Sequence, residues 1–179
     1  MSTRLVILGL LKERPLYGYE LKGIIERYMG DWTSIAFGSI YFALNKLTKE
    51  GLVREIAVQK EGSRPSRRVY EVTEAGRDEF TRLLRDVWLK DERTFFSFDV
   101  GLFFLRELPK KERIEYLRNR IESARRSLSY LDGHETEMLA NPMVPPLASA
   151  IFSHSRYHAQ AELSWLEELL QGMREEKYE

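Results

Sequence analysis

Residues 38–53, with the sequence GSIYFALNKLTKEGLV, contain the transition on which the fold of this chain depends. Apolar residues recur in it at the spacing of one face of an α-helix, at Ile40, Leu44 and Leu47. Gly51 follows, and glycine suits the left-handed conformation in which many helices end. At Val53 the pattern changes from helical to alternating. The stretch therefore predicts a helix from about Gly38 to Glu50 that leads directly into a β-strand.

A β-hairpin is predicted on the carboxyl side of this helix. Alternating residues make Val53–Val58 one strand and Arg68–Val72 its partner. The connection, Gln59–Arg67, is polar and contains glycine, serine and proline, which favours a long tip between the strands. Thr73 then places a hydroxyl before apolar residues at helical spacing, so we expect a further helix to begin there.

Two short helices are predicted on the amino side. The first contains the leucine-rich segment 5–11 and ends at Arg14, because the following proline disfavours helical conformation at the residue before it. The second extends from about Gly18 to Tyr28, with one apolar and one charged face, and Gly30 interrupts it. Three helices, a hairpin and a fourth helix are the order of a winged helix-turn-helix domain, in a chain that is mainly α.

The same segments resemble the PadR-type transcriptional regulators. The matching motifs follow the order of that family's second helix, recognition helix, wing and fourth helix. They are Leu16–Leu21, Gly38–Tyr41 with Leu44 and Leu47, Glu50–Val53, Arg64–Pro65, Arg68–Tyr70 and Val72–Gly76. The resemblance is continuous from about Thr3 to Phe80. It implies a DNA-binding domain, a helical dimerisation domain after it, repression and, for some relatives, a flat aromatic effector. Phe42 departs from the family, which often has proline after the tyrosine, so the operator sequence cannot be transferred from relatives.

The third predicted helix has a face suited to the major groove of DNA. In that groove asparagine can pair with an adenine edge, lysine with guanine, and an aromatic ring with a thymine methyl group. The candidate residues on this face and its flanks are Gly38, Ser39, Tyr41, Phe42, Asn45, Lys46 and Lys49, with Tyr19 as a further donor to phosphate. An ordinary solvated surface is the alternative for the polar residues, and Phe42 could instead pack on Trp32 or Phe37.

The hairpin tip concentrates basic residues. Lys60, Arg64, Arg67 and Arg68 lie within nine positions of one another. Such a tip can follow the DNA backbone, where phosphates provide most of the affinity and little of the specificity. Residues 1–82 carry 14 Lys and Arg against 11 Asp and Glu, whereas residues 83–179 carry 14 against 17. The charge balance therefore favours the first part as the DNA-binding part, although a solvated basic loop is the alternative.

Residues 1–89 are predicted to form the winged-helix domain and residues 90–179 an α-helical dimerisation domain. A long helix follows Pro109, and a last helix extends from about Leu147 to Gln171, each with an apolar stripe. Two helices alone leave these stripes uncovered, so we expect a second copy to cover them and to place two recognition helices on a palindromic site. The candidate dimerisation residues are Ile114, Leu117, Ile121, Leu128, Leu131, Ile151, Trp165 and Leu169.

The most apolar window is Phe95–Leu105. It is shorter than the roughly 20 residues that a membrane-spanning helix needs, so it is predicted to be a buried helix. Its phenylalanines, with Trp88 and Trp165, could enclose a flat aromatic effector. Packing of these rings against one another is the favoured interpretation, and no specific effector is predicted.

The sequence offers little for catalysis or metal binding. It has no cysteine, no glycine-rich phosphate loop and no nucleophile elbow, so no enzyme activity and no cofactor are predicted. His154, His158 and Glu162 have ligand-like spacing, but surface hydrogen bonds and packing are the favoured interpretation. The absence of cysteine and of an export signal leads us to expect a cytoplasmic protein. The alternative function is a winged-helix module that binds a protein and not DNA.

Overall fold

The computed structural model describes residues 3–30, 32–59, 67–90, 95–141 and 144–178. The chain divides into two compact units, Met1–Glu92 and Arg93–Glu179. Each unit has its own cluster of buried apolar side chains.

Helices and a small sheet make up the first unit. Its described elements are α1 (Thr3–Glu13), β1 (Leu16–Tyr17), α2 (Gly18–Tyr28), α3 (Phe37–Lys49), β2 (Val53–Gln59), β3 (Arg67–Val72) and α4 (Glu74–Leu89). The strands form an antiparallel sheet in the order β1-β3-β2. The predicted order of helices and hairpin is confirmed. The two-residue strand β1 was not predicted, because it is too short to show alternation and is defined by its pairing with β3.

The core of the first unit determines which way α3 faces. Leu8 of α1 and Leu21 of α2 are completely buried, as are Leu44 and Leu47 of α3. The apolar stripe of α3 therefore packs inward against the preceding helices, as its spacing predicts. The opposite side of α3 is left to the solvent.

A compact junction joins α3, β2 and α4. Gly51 has a φ of 73°, the left-handed conformation expected after the helix. The Thr73 hydroxyl donates to the Gly51 carbonyl over 2.7 Å and accepts from the Gly76 N–H over 3.1 Å. The Thr73 N–H donates to the Leu52 carbonyl over 3.0 Å. The predicted cap of α4 is thus confirmed, and it also ties α4 to the end of α3.

The second unit is helical in its described residues. It contains α5 (Ser97–Phe103), a short 3-10 turn (Leu105–Glu107), α6 (Lys110–Leu139) and α7 (Ala148–Arg174). The two long helices are antiparallel and share a core that includes Leu117, Ile121, Leu166 and Leu170. The prediction of two long helices is confirmed. No helix in the described ranges combines the length and apolar character required to cross a bilayer.

The prediction of a buried helix at Phe95–Leu105 is wrong. None of the residues of α5 is buried, and Phe103 is 80% exposed. Phe98 and Leu102 of α5 and Leu105 after it pack against the core of α6 and α7, and the Phe98 ring lies edge-on to Trp165 with centroids 5.7 Å apart. Because α5 packs on a single neighbouring surface, only one of its faces is covered. Its other apolar residues remain exposed to solvent.

Candidate nucleic-acid interface

The outward face of α3 presents unpaired polar groups beside an aromatic ring. Asn45, Lys46 and Lys49 are exposed, and Phe42 is 71% exposed. Neither lysine forms an ion pair with a residue that the structure describes, and the Asn45 amide makes no hydrogen bond within those ranges. Their donors are therefore available to a molecule outside the chain. Phe42 does not extend the core, so that alternative is excluded.

The first turn of α3 carries smaller or already engaged side chains. Gly38 is exposed, and the Ser39 hydroxyl donates to the Ala36 carbonyl over 2.6 Å. Tyr41 is half-buried, and its ring packs edge-on to Phe37 with centroids 5.0 Å apart. A Cβ at Gly18 would lie only 2.9 Å from the Tyr41 ring, so glycine is what lets this ring lie against the start of α2.

Lys22 of α2 is a candidate that the sequence did not reveal. Its ammonium nitrogen lies 4.8 Å from the centroid of the Phe37 ring at the start of α3, and 3.5 Å from the Glu26 carboxylate. In the sequence Lys22 belongs to the charged face of α2, which is typical of any solvated helix. The contact between its ammonium group and the Phe37 ring places it beside α3.

Tyr19 lies in the first turn of α2. It is 50% exposed, and its ring stacks on Tyr17 with centroids 5.4 Å apart. The turn itself is held by Glu20, whose carboxylate accepts from the Tyr17 N–H over 2.8 Å. This arrangement leaves the Tyr19 ring at the surface on a well-defined helix end.

At the base of the hairpin, basic and acidic side chains form ion pairs with each other. Arg68 pairs with Glu55 over 3.0 Å, and Arg54 pairs with Glu71 on the opposite strand over 2.7 Å. Between these pairs Tyr70 is buried, and burial raises the pKa of its phenol above the ordinary value. Two of the predicted contacts at the tip, Lys60 and Arg64, lie outside the described residues, as does the side chain of Arg67, whose backbone belongs to β3.

A charged cluster at the carboxyl end of α3 joins three elements. Arg4 of α1 pairs with Glu50, directly after α3, over 2.6 Å and with Glu79 of α4 over 3.4 Å. Arg82 also binds Glu79, over 2.8 Å. The hydrogen bond from Arg82 lowers the pKa of the Glu79 carboxyl, and it outweighs the opposing effect of partial burial. The cluster links the carboxyl end of α3 to α1 and α4.

The described residues contain no group of three or more His, Asp or Glu side chains that could hold a metal ion. His154 and His158 lie next to each other, with Nε2 atoms 3.1 Å apart. Glu162 binds Arg120 of α6 over 2.8 Å instead of joining them. The three residues are therefore used for contacts on and between helices.

The residues predicted for dimerisation differ in burial. Leu117, Ile121 and Leu169 are buried inside the α6–α7 pair of a single chain, whereas Trp165 is 39% exposed. The others are half-buried: Ile114, Leu128, Leu131 and Ile151. The exposed apolar surface of this unit is extended by α5, for which the sequence predicts a buried position.

A three-helix core with an outward helix of free asparagine and lysine groups, followed by a β-hairpin, is the architecture of a winged-helix DNA-binding protein. The sequence profile of the Transcriptional regulator PadR-like family matches residues 7–82, which span α2, α3 and the hairpin. Residues 7–82 are therefore similar to the domain that defines this family, and the match indicates a DNA-binding transcriptional regulator.

Relatives of known function and structure resemble the chain over both units. The negative transcriptional regulator PadR of Bacillus subtilis (strain 168) is 25% identical over 170 residues, or 92% of this chain and 93% of that protein. The crystal structure of Bacillus subtilis PadR in complex with operator DNA has a TM-score of 0.78 at 23% identity, covering 95% of this chain and 98% of that one. The complex of the same protein with p-coumaric acid has a TM-score of 0.75 at 21% identity, covering 96% and 98%. These structures confirm the winged-helix fold.

Proposed function

We propose that the chain is a transcriptional repressor that binds a palindromic operator as a homodimer and has no catalytic role. The observation that carries the proposal is the outward face of α3, where Asn45, Lys46 and Lys49 have no partner in the described chain. Repression is supported by the name of the Bacillus subtilis relative, a negative regulator. A protein whose ligand is chromosomal DNA is expected in the cytoplasm.

In the proposed complex α3 lies in the major groove, with Asn45 and Phe42 directed to base edges and the lysines to phosphates or guanine. The hairpin tip adds phosphate contacts through Lys60, Arg64 and Arg67. Arg68 would have to exchange its Glu55 partner for a phosphate, so we expect it to contribute less than the residues of the tip. The remaining proposed contacts are Gly38, Ser39, Tyr41 and Tyr19.

The proposed dimer uses the apolar surface that a single chain leaves uncovered. Trp165 and the half-buried residues of α6 and α7 provide part of it, and Val100 and Phe103 of α5 provide more, being 62% and 80% exposed. A two-fold axis through this surface gives each half of a palindromic operator one recognition helix.

A small-molecule effector is proposed to act through the geometry of this dimer. The Bacillus subtilis relative was solved with p-coumaric acid. In the second unit of this chain, a cavity of about 400 Å³ is lined by Phe98, Leu105, Tyr116 and Arg120, among others, and its volume falls in the range of ligand pockets. An effector changes DNA affinity only if it binds two dimer geometries with different affinities.

The proposal is tested by selecting duplexes from a random-sequence pool and measuring their affinity by fluorescence anisotropy at several salt concentrations. We expect selection to converge on a palindrome, and the logarithm of the affinity to fall linearly with the logarithm of the salt concentration. The double variant Lys46→Ala, Lys49→Ala should bind more weakly, with a slope shallower by roughly one for each phosphate that the missing lysines no longer neutralise.

The matched control is the double variant Lys111→Ala, Arg118→Ala, which removes the same charge from exposed positions of α6. For this control, the slope of log affinity against log salt concentration should equal that of the unaltered chain. If selection yields no preferred sequence and both variants bind random duplex alike, the proposal is wrong and a protein partner for the winged-helix unit is favoured.

A further inference from the structure

The amino-terminal half of the outward face of α3 carries one large side chain, Phe42. Side chains of a helix lean toward its amino terminus, so this ring is directed over the turn that contains Gly38 and Ser39. Apart from its two chain neighbours, no residue has a side-chain atom within 4 Å of the position that a Cβ would take at Gly38, and the Phe42 ring is 71% exposed. Phe42 therefore does not lie flat on its own helix but extends from it into solvent.

The side chains around Phe42 offer few free hydrogen-bond donors. The Ser39 hydroxyl already donates to the Ala36 carbonyl, and the Tyr41 ring is turned toward Gly18 of α2. The free donors of the face, Asn45 and Lys46, lie on the carboxyl side of Phe42. The face is thus divided into an apolar half that begins the helix and a polar half that follows it.

The major groove presents one apolar group that the apolar half of this face can recognise. Base edges there present hydrogen-bond donors and acceptors, and thymine alone adds a 5-methyl group. Lys46 and Lys49 attract this face to the phosphates, and the amino-terminal residues of a recognition helix are those that approach base edges. Burying an exposed phenyl ring against a methyl group removes apolar surface from water on both partners.

We propose that Phe42 contacts the 5-methyl group of a thymine in the operator and so determines specificity at that position. The inference rests on the proposed function, because it requires sequence-specific DNA binding. It adds the identity of the base and of the group on that base that the residue recognises.

The experiment uses the full chain and the duplex selected by it. Each thymine of one half-site is replaced in turn by deoxyuridine, which removes only the methyl group, while the other half-site is left unaltered. We expect one position at which the unaltered chain binds roughly threefold to tenfold more weakly, the effect of losing one buried methyl group. In the Phe42→Ala variant the same replacement should have no effect, because the ring that senses the methyl group is absent.

Asn45→Ala is the matched control on the same face, and it should lose affinity while remaining sensitive to deoxyuridine. The inference is overturned if the Phe42→Ala variant keeps the full deoxyuridine effect, or if no thymine replacement affects the unaltered chain. A failure of the proposed function looks different, because then no duplex is preferred over random sequence by any of the three proteins. Circular dichroism spectra of both variants should match that of the unaltered chain, since both residues are exposed.

Discussion

At Gly76 the first turn of α4 lies directly against the loop that ends α3. A Cβ at this position would lie 2.1 Å from the Leu52 carbonyl oxygen and 2.7 Å from a methyl group of Val72. The carbonyl cannot easily move, because it accepts the hydrogen bond from the Thr73 N–H. The absence of a side chain at Gly76 is therefore a condition for the junction between α3 and α4.

Replacing this glycine gives a prediction at the scale of one residue. Gly76→Ala should lower the free energy of unfolding by roughly 1–3 kcal/mol, the usual cost of forcing an extra group into a packed site. Gly23→Ala is the control, since nothing lies within 4 Å of a Cβ there and the residue is in a helix. The control should be stabilised by up to about 1 kcal/mol. Urea unfolding followed by circular dichroism measures both, and an equal effect of the two substitutions would contradict the close contact.

At the scale of elements, the position of α3 depends on charges as well as on its apolar stripe. Arg4 connects Glu50, which follows α3, to Glu79 of α4, and Arg82 holds Glu79 from within α4. The apolar stripe specifies which face of α3 is buried. The charged cluster adds contacts at the carboxyl end of the helix, near the lysines that are proposed to meet DNA.

This cluster makes the stability of the first unit depend on pH. The pKa of Glu79 is lowered from its ordinary value of 4.5, mainly by the hydrogen bond from Arg82. Its carboxylate therefore stabilises the folded state above the unfolded pKa, and this contribution is lost as the pH falls through the lower, folded pKa. Glu79→Gln should be less stable than the unaltered chain at pH 7, and the difference should shrink as the pH falls below 4.5.

Urea unfolding at a series of pH values checks this expectation. The Glu26→Gln variant serves as the control, because it removes a more exposed carboxylate that pairs within α2. Its stability should stay close to that of the unaltered chain throughout. If the difference in free energy of unfolding between Glu79→Gln and the unaltered chain is the same at pH 7 and in acid, the Glu79 charge is not the cause of that difference.

At the scale of the whole molecule, the apolar surface of the second unit is larger than one chain can cover. Val100 and Phe103 of α5 are mostly exposed, as is Phe96 just before it, and Trp165 is partly exposed. Contiguous exposed apolar residues of this kind mark interaction surfaces in soluble proteins. This is the physical reason for proposing that a second copy of the chain completes the structure.

The mass of the particle in solution tests this proposal. The chain has a mass of 21.1 kDa, so the unaltered protein should sediment at about twice that value. The double variant Val100→Glu, Phe103→Glu should sediment as a monomer, because burying two carboxylates in an apolar interface is unfavourable. It should also lose most of its operator affinity, since a monomer reaches only one half-site. The control Ser127→Glu, Gln171→Glu adds the same charge at exposed polar positions and should remain a dimer. If the Val100→Glu, Phe103→Glu variant also remains a dimer, the interface lies elsewhere.

Local patterns in the sequence were sufficient for most of the fold and for part of the site. The boundaries of α2 and the start of α4 after Thr73 follow from caps and glycines, which act over a few residues. The outward direction of Asn45, Lys46 and Lys49 follows from the apolar stripe on the other side of α3. Each of these features is determined by residues that are close together in the chain, so it can be predicted from the sequence.

The features that the sequence left undecided depend on residues far apart in the chain. Phe42 could have packed in the core, and its exposure is decided by whether another element covers it. The position of α5 also depends on long-range packing, because its apolar segment is predicted to be buried but lies on the surface. The contact of Lys22 with Phe37 likewise joins residues of two different helices. The pairing of Arg68 with Glu55 depends on the register of two strands. Sequence periodicity determines which face of an element is apolar, but only the tertiary structure decides what, if anything, covers that face.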